Sequence, residues 1–154
     1  MLFVRARVQP RLWPSIYSAY PGATGFSKSF EGFGQRDEPA LIAFAEALNF
    51  QTAIGRTAIE RRARSLAARL AAELRRIGGV RVATSADPEL STAVVSLTVG
   101  DLDASRLAAA LYRDDRIGCA VLGHGIRFSP HIYNTGSEVD RAIAAVSRYA
   151  RAGV

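Results

Sequence analysis

The chain has 154 residues, 49% of them hydrophobic and 22% charged, a length and balance that suit one globular domain, or one and a fragment, and exclude a wholly disordered chain. No apolar run approaches the roughly 18 residues of a membrane span, and Met1-Leu2-Phe3-Val4-Arg5 has no apolar stretch long enough for a signal peptide. The formal charge is +6, yet of the twenty basic residues only Lys28 is a lysine, and the arginines are spread from Arg5 to Arg151 without a block denser than Arg61-Arg62 with Arg64. That dispersion argues against a dedicated phosphate-binding stripe and leaves a basic nucleic-acid binder as a minor alternative.

Residues 1–37 form an irregular stretch rich in Gly, Pro and aromatics. Pro10, Pro14 and Pro21, with glycines at 22, 25, 32 and 34, rule out one continuous regular element. Phe3, Trp13, Tyr17, Tyr20, Phe26, Phe30 and Phe33 are too apolar to be left in water, so this stretch demands a partner surface, in this chain or another. A small α/β unit is expected over 38–154.

Asp37 and Pro39 predict a helix start, followed by Leu41, Ala45 and Leu48 at helical spacing. Past Gly55, the series Ile59, Ala63, Leu66, Leu70, Leu74 and Ile77 predicts a second helix, ended by Gly78-Gly79. Strands are expected at Val80–Thr84 and Thr92–Val99, with a turn at Asp87-Pro88 between them. Asp101 or Asp103 then opens a helix carrying Leu107 and Leu111. Ile117–Leu122 and Gly125–Ser129 read as strands joined through Gly123-His124. Thr135 and Glu138 form a capping box ahead of Val139, Ile143, Val146 and Ala150. The order α-α-β-β-α-β-β-α predicts an α/β (α+β) fold, a small and mostly antiparallel sheet with helices packed on one face.

Polar functions are densest in Arg127-Phe128-Ser129-Pro130-His131-Ile132-Tyr133-Asn134-Thr135. Arg127 near a strand end can hold a carboxylate through two parallel hydrogen bonds, and glycines at 123 and 125 leave room for close approach. The bland alternative is a surface strand residue, a Ser-Pro strand exit and an Asn-Thr helix cap, residue types that turns use routinely. His124 and His131 flank Arg127 and can orient a substrate or act as bases, or simply be turn histidines. Cys119, the single cysteine, lies in the apolar run Ile117–Leu122 and reads as a core thiol. One cysteine allows no internal disulfide, two histidines argue against a self-contained metal site, and a reducing, cytoplasmic setting is expected.

The run Gly125-Ile126-Arg127-Phe128-Ser129-Pro130-His131-Ile132-Tyr133-Asn134-Thr135, with Glu138 and Asp140 after it, resembles the C-terminal signature of class V aminotransferases, in particular their isopenicillin-N-epimerase-like branch. Gly34-Gln35-Arg36-Asp37 with Pro39-Ala40-Leu41, Ile77-Gly78-Gly79-Val80, Pro88-Glu89-Leu90-Ser91 and Leu2–Leu12 resemble further segments of that family, in order along the chain. The resemblance implies the C-terminal small domain of a fold-type I enzyme that uses pyridoxal phosphate on an amino-acid substrate. It implies that Arg127 holds the substrate α-carboxylate, and that Gly34 and Gln35 reach the cofactor phosphate of a neighbouring subunit in a homodimer. Gln35 departs from the family, which usually has threonine there.

The family's Schiff-base lysine belongs to a part N-terminal to everything matched, and Lys28 lies downstream of that position. The resemblance therefore implies a truncated chain, inactive alone, that would pair with itself or with a cofactor domain. A non-enzymatic interaction module, using the aromatic N-terminal segment, is the rival expectation.

Overall fold

The computed structural model describes residues 3–13 and 37–154, which fall in two units, Met1–Leu48 and Asn49–Val154. In the first, Pro10 suits the opening of a short 3-10 helix, Gln9–Arg11, and the Gln9 side chain donates to the Val4 carbonyl at 3.0 Å. Asp37 opens helix α1 (Glu38–Ile54) as expected, its carboxylate accepting from the Ala40 N–H at 3.1 Å. Leu41 and Leu48 of the helical-spaced series are exposed, as are Ile42 and Phe44 beside them and Phe3 and Trp13. Tyr17, Tyr20, Phe26, Phe30 and Phe33 lie outside the described residues.

The second unit holds the core. Gly55, at φ +93, separates α1 from helix α2 (Arg56–Leu74), which buries Ala63, Leu66, Ala67, Leu70, Ala71 and Leu74 along one stripe. The helix ends four residues before Gly78, because the Ile77 N–H turns back onto the Leu74 carbonyl and Val80 onto Ile77. Gly79, at φ +80, completes that turn.

Strands β1 (Val80–Val82), β2 (Val95–Val99), β3 (Ala120–Leu122) and β4 (Gly125–Phe128) form one antiparallel sheet in the order β1-β2-β4-β3. Helix α3 (Ala104–Asp115) runs between β2 and β3, and helix α4 (Gly136–Ala152) closes the chain. Alternation decides which face is buried. Val95, Leu97 and Val99 of β2, with Ile126 and Phe128 of β4, point into a core shared with Leu66, Leu70, Leu107, Leu111, Val139 and Val146. Helices α2, α3 and α4 thus cover one face, the predicted layering. Each fully buried Leu or Ile in that layer contributes roughly 1.5–3 kcal/mol.

All four strands are shorter than expected: β2 starts at Val95 rather than Thr92, β4 ends at Phe128 rather than Ser129, and β1 and β3 are cut back for visible reasons. Thr84 lies past β1, yet its hydroxyl donates to the Val94 carbonyl and accepts from the Ser96 N–H, so a side chain does the work of a ladder pair. Ile117 belongs to the end of α3 rather than to β3: its N–H bonds to the Leu111 carbonyl, and Arg116 takes the left-handed conformation, at φ 58. Cys119 consequently sits before β3, half-buried at the edge of the core.

Candidate functional site

Arg127 is the third of the four residues of β4, near its end as expected, paired with Ser96 of β2 on one side and Ala120 of β3 on the other. Because Ile126 and Phe128 face the helices, Arg127 belongs to the face opposite α2, α3 and α4, with Ser96 and Thr98. The pairing needs Gly125. A Cβ there would stand 2.5 Å from the Leu97 carbonyl oxygen, so only glycine lets β4 approach β2 this closely.

Arg127 is half-buried, and its Nε is shut from solvent without a hydrogen-bond partner among the described residues. A buried donor left unmatched costs about 1–3 kcal/mol, so an acceptor supplied by a ligand is strongly favoured there. Four residues on, His131 repeats the pattern: its Nδ1 is buried and unpartnered, while its ring lies 5.2 Å from that of Tyr133.

The segment after β4 is held by its own side chains. The Asn134 carboxamide oxygen accepts from the His131 N–H at 2.8 Å, and the Asn134 N–H returns to the His131 carbonyl at 3.0 Å. Thr135 and Glu138 form the expected reciprocal cap: Thr135 N–H donates to the Glu138 carboxylate at 2.8 Å, and Glu138 N–H to the Thr135 hydroxyl at 3.2 Å. The Thr135 N–H, followed by the Asn134 carboxamide, holds the Glu138 carboxyl below the usual carboxylate range.

Sequence reading missed the two arginines of α2 that grip this segment from outside. Arg62 donates to the Asn134 carbonyl at 2.9 Å, and Arg69 pairs with Asp140. Both looked like the solvent face of a helix; their spacing of seven, two turns on one side, was the available signal. Gly136 leaves space for Arg69, whose Nη1 would be 2.9 Å from a Cβ at that position.

The candidate residues are therefore not all in one place. Arg127 and His131 belong to one short segment, whereas His124 is exposed at the tip of the β3–β4 hairpin, about 10 Å along the strand from Arg127. Gly34, Gln35 and Lys28 lie outside the described residues. Cys119 is a poor nucleophile as placed, since burial pushes its thiol up. Among the described residues no group of three His, Cys, Asp or Glu could hold a metal, and no helix is long and apolar enough to cross a membrane. The donor set fits a carboxylate; it includes no amine to which an aldehyde cofactor could attach.

Comparison with known proteins agrees with the sheet, the helices and the 125–140 motif. The family model described as aminotransferase class-V matches residues 22–142. An isopenicillin N epimerase of Amycolatopsis lactamdurans is 31% identical over 135 residues, covering 84% of this chain and 34% of that protein. This chain thus spans about a third of that curated relative. Among solved structures, a cysteine desulfurase of Thermococcus onnurineus NA1 superposes with a TM-score of 0.85 at 20% identity, over 97% of this chain and 42% of the other. The cysteine desulfurase CsdA of Escherichia coli gives 0.73 at 19% identity, over 94% and 40%. These two likenesses establish a shared fold, that of fold-type I enzymes.

Proposed function

Because the chain belongs to the class V aminotransferases, a family of pyridoxal-phosphate enzymes, we propose that it forms the substrate-binding C-terminal part of such an enzyme, with Arg127 holding the α-carboxylate of an amino acid. The buried Nε of Arg127, unmatched among the described residues on the face opposite α2, α3 and α4, carries this reading. A carboxylate there accepts from Nε and a terminal nitrogen together, which cancels the desolvation cost and fixes the substrate's orientation. The tied 131–138 segment keeps the strand end from shifting when the ligand arrives. His131, through its unpartnered Nδ1, supplies a second polar contact for the bound amino acid.

The cofactor is assigned to the assembled enzyme. Gly34 and Gln35 are proposed to reach its phosphate across a homodimer, and the cofactor-binding lysine is placed outside these 154 residues, because Lys28 does not match its position. On this reading the isolated chain is inactive and acts by pairing, in a reducing cytoplasm that leaves Cys119 as a thiol.

The test is the Arg127 Nε–H resonance in 1H–15N spectra during titration with L-alanine and, as control, L-alaninamide. A saturable shift is expected with the acid and not with the amide. Arg127→Ala should weaken binding about 10–100-fold, the worth of one charge-assisted pair, and Arg127→Lys should restore part of it. An unmoved Nε signal, or equal binding by Arg127→Ala, would sink the assignment. A non-enzymatic interaction module remains as a second reading, favoured by Ile42 at 65% and Trp13 at 89% exposure; a monomer at high concentration without any partner would remove it.

A further inference from the structure

On the helix-covered side of the sheet, away from Arg127, the second unit carries a cavity of about 290 Å³. Leu70 of α2, Phe128 at the end of β4, and Val139 and Ala142 of α4 line its apolar part. Arg116 and Arg141 line it as cations. Phe128 points to this side and Arg127 to the other, while Ser129, Pro130, Tyr133 and Asn134 of the segment after Arg127 form the rim that the cavity shares with the amino-acid site.

The two arginines are exposed and carry no partner of their own; the same holds for Arg61, Arg81 and Arg106 elsewhere among the described residues, but only these two line the cavity. Arg62, Arg64, Arg69 and Arg148 are all engaged by carbonyls or carboxylates. Arg116 and Arg141 make no hydrogen bond and no ion pair among the described residues; Arg141 feels Glu138 only through space. Arg116 is also the one non-glycine described residue at positive φ, at 58°, in a helix-ending position that glycine fills at lower cost. A cation kept there against backbone preference, beside a hollow lined by both polar and apolar groups, has the character of a binding group.

We propose that this cavity binds a small amphipathic carboxylate, its apolar body against Leu70, Phe128, Val139 and Ala142 and its charge neutralised by Arg116 and Arg141. The volume is at the lower end for small-molecule sites, which restricts the body to one ring or a chain of similar bulk. Glu138 also lines the cavity, so a single negative charge is preferred over a phosphate dianion.

The probe is 4-phenylbutyrate, with 4-phenylbutanol as the neutral control, titrated by calorimetry and amide NMR into the chain and into its Arg127→Ala variant. Saturable binding is expected in both, with shifts at Ile117, Phe128 and Val139–Ala142, and the alcohol should bind about tenfold more weakly. Arg141→Ala and Arg116→Gly should each weaken the acid about 5–10-fold. Arg116→Gly should at the same time raise Tm, because glycine adopts the left-handed conformation without strain, so its loss of binding cannot be ascribed to unfolding. No saturable binding, equal binding of the alcohol, or indifference to both arginine substitutions would overturn the proposal. Binding that vanishes in Arg127→Ala would place the ligand on the other face and also overturn it. Persistence there would uphold it whatever becomes of the amino-acid site.

Discussion

The Thr135 hydroxyl and the Glu138 carboxylate close the first turn of α4 reciprocally, and the same pair anchors the segment that follows Arg127. Thr135→Ala removes the acceptor for the Glu138 N–H and should lower stability by about 0.5–2 kcal/mol in chemical denaturation. Glu138 carries a pH signature as well. Its carboxyl is depressed in the folded chain, chiefly by the Thr135 N–H, relative to an ordinary value of 4.5. A depressed acid adds stability that is complete above the unfolded value and fades as pH falls through the folded one. Tm measured from neutral pH down past about 4.5 should therefore fall more steeply for the native chain than for Glu138→Gln; parallel profiles would show that the cap contributes nothing.

Between β2 and β4 the decisive position is Gly125. Gly125→Ala drives a Cβ into the Leu97 carbonyl, a backbone atom that cannot step aside without opening the Ile126–Leu97 pairing. About 1–3 kcal/mol of destabilisation is expected, with selective loss of amide protection at Ser96, Leu97 and Arg127 in hydrogen exchange. Unchanged protection would mean that the strands adjust freely. Much of this layer was legible in sequence. The α2 stripe, the Thr135 cap, an aspartate cap at 101 or 103 (Asp103 in the structure), and the cores of the strands expected at Thr92–Val99 and Gly125–Ser129 are local signals, set by period and by residues within a turn of each other.

What escaped was set by contacts across the chain. Val80–Thr84 looked like a longer strand because a threonine hydroxyl standing in for a backbone group leaves no trace in propensity. Ile117 looked like strand and is the buried residue after a left-handed helix end, unexpected where the left-handed residue is an arginine. The place of Arg127 was legible from its motif, but the orphaned Nε, the grip of Arg62 on Asn134 and the Gly125 approach all depend on which strands and helices become neighbours.

The described residues supply a guanidinium for a carboxylate and no amine, whereas pyridoxal phosphate is held through a lysine in enzymes that use it covalently. The chain's single lysine, Lys28, stands in sequence between Gly25-Phe26-Ser27 and Ser29-Phe30, outside the described residues, and the family resemblance puts it downstream of the cofactor lysine. If the division of labour proposed above holds, cofactor added to the isolated chain meets no prepared nucleophile. A visible absorbance titration of the purified chain with pyridoxal phosphate, then borohydride reduction and peptide mass mapping, should give no saturable band and only scattered labelling of the amino terminus and Lys28. The outcome that would break the proposal is a saturable band whose reduced label maps to Lys28 alone, because a stoichiometric, site-selective bond needs an amine activated by its surroundings. Such a result would make Lys28 the cofactor-binding amine, and Arg127→Ala should then weaken amino-acid binding while leaving the Lys28 label intact.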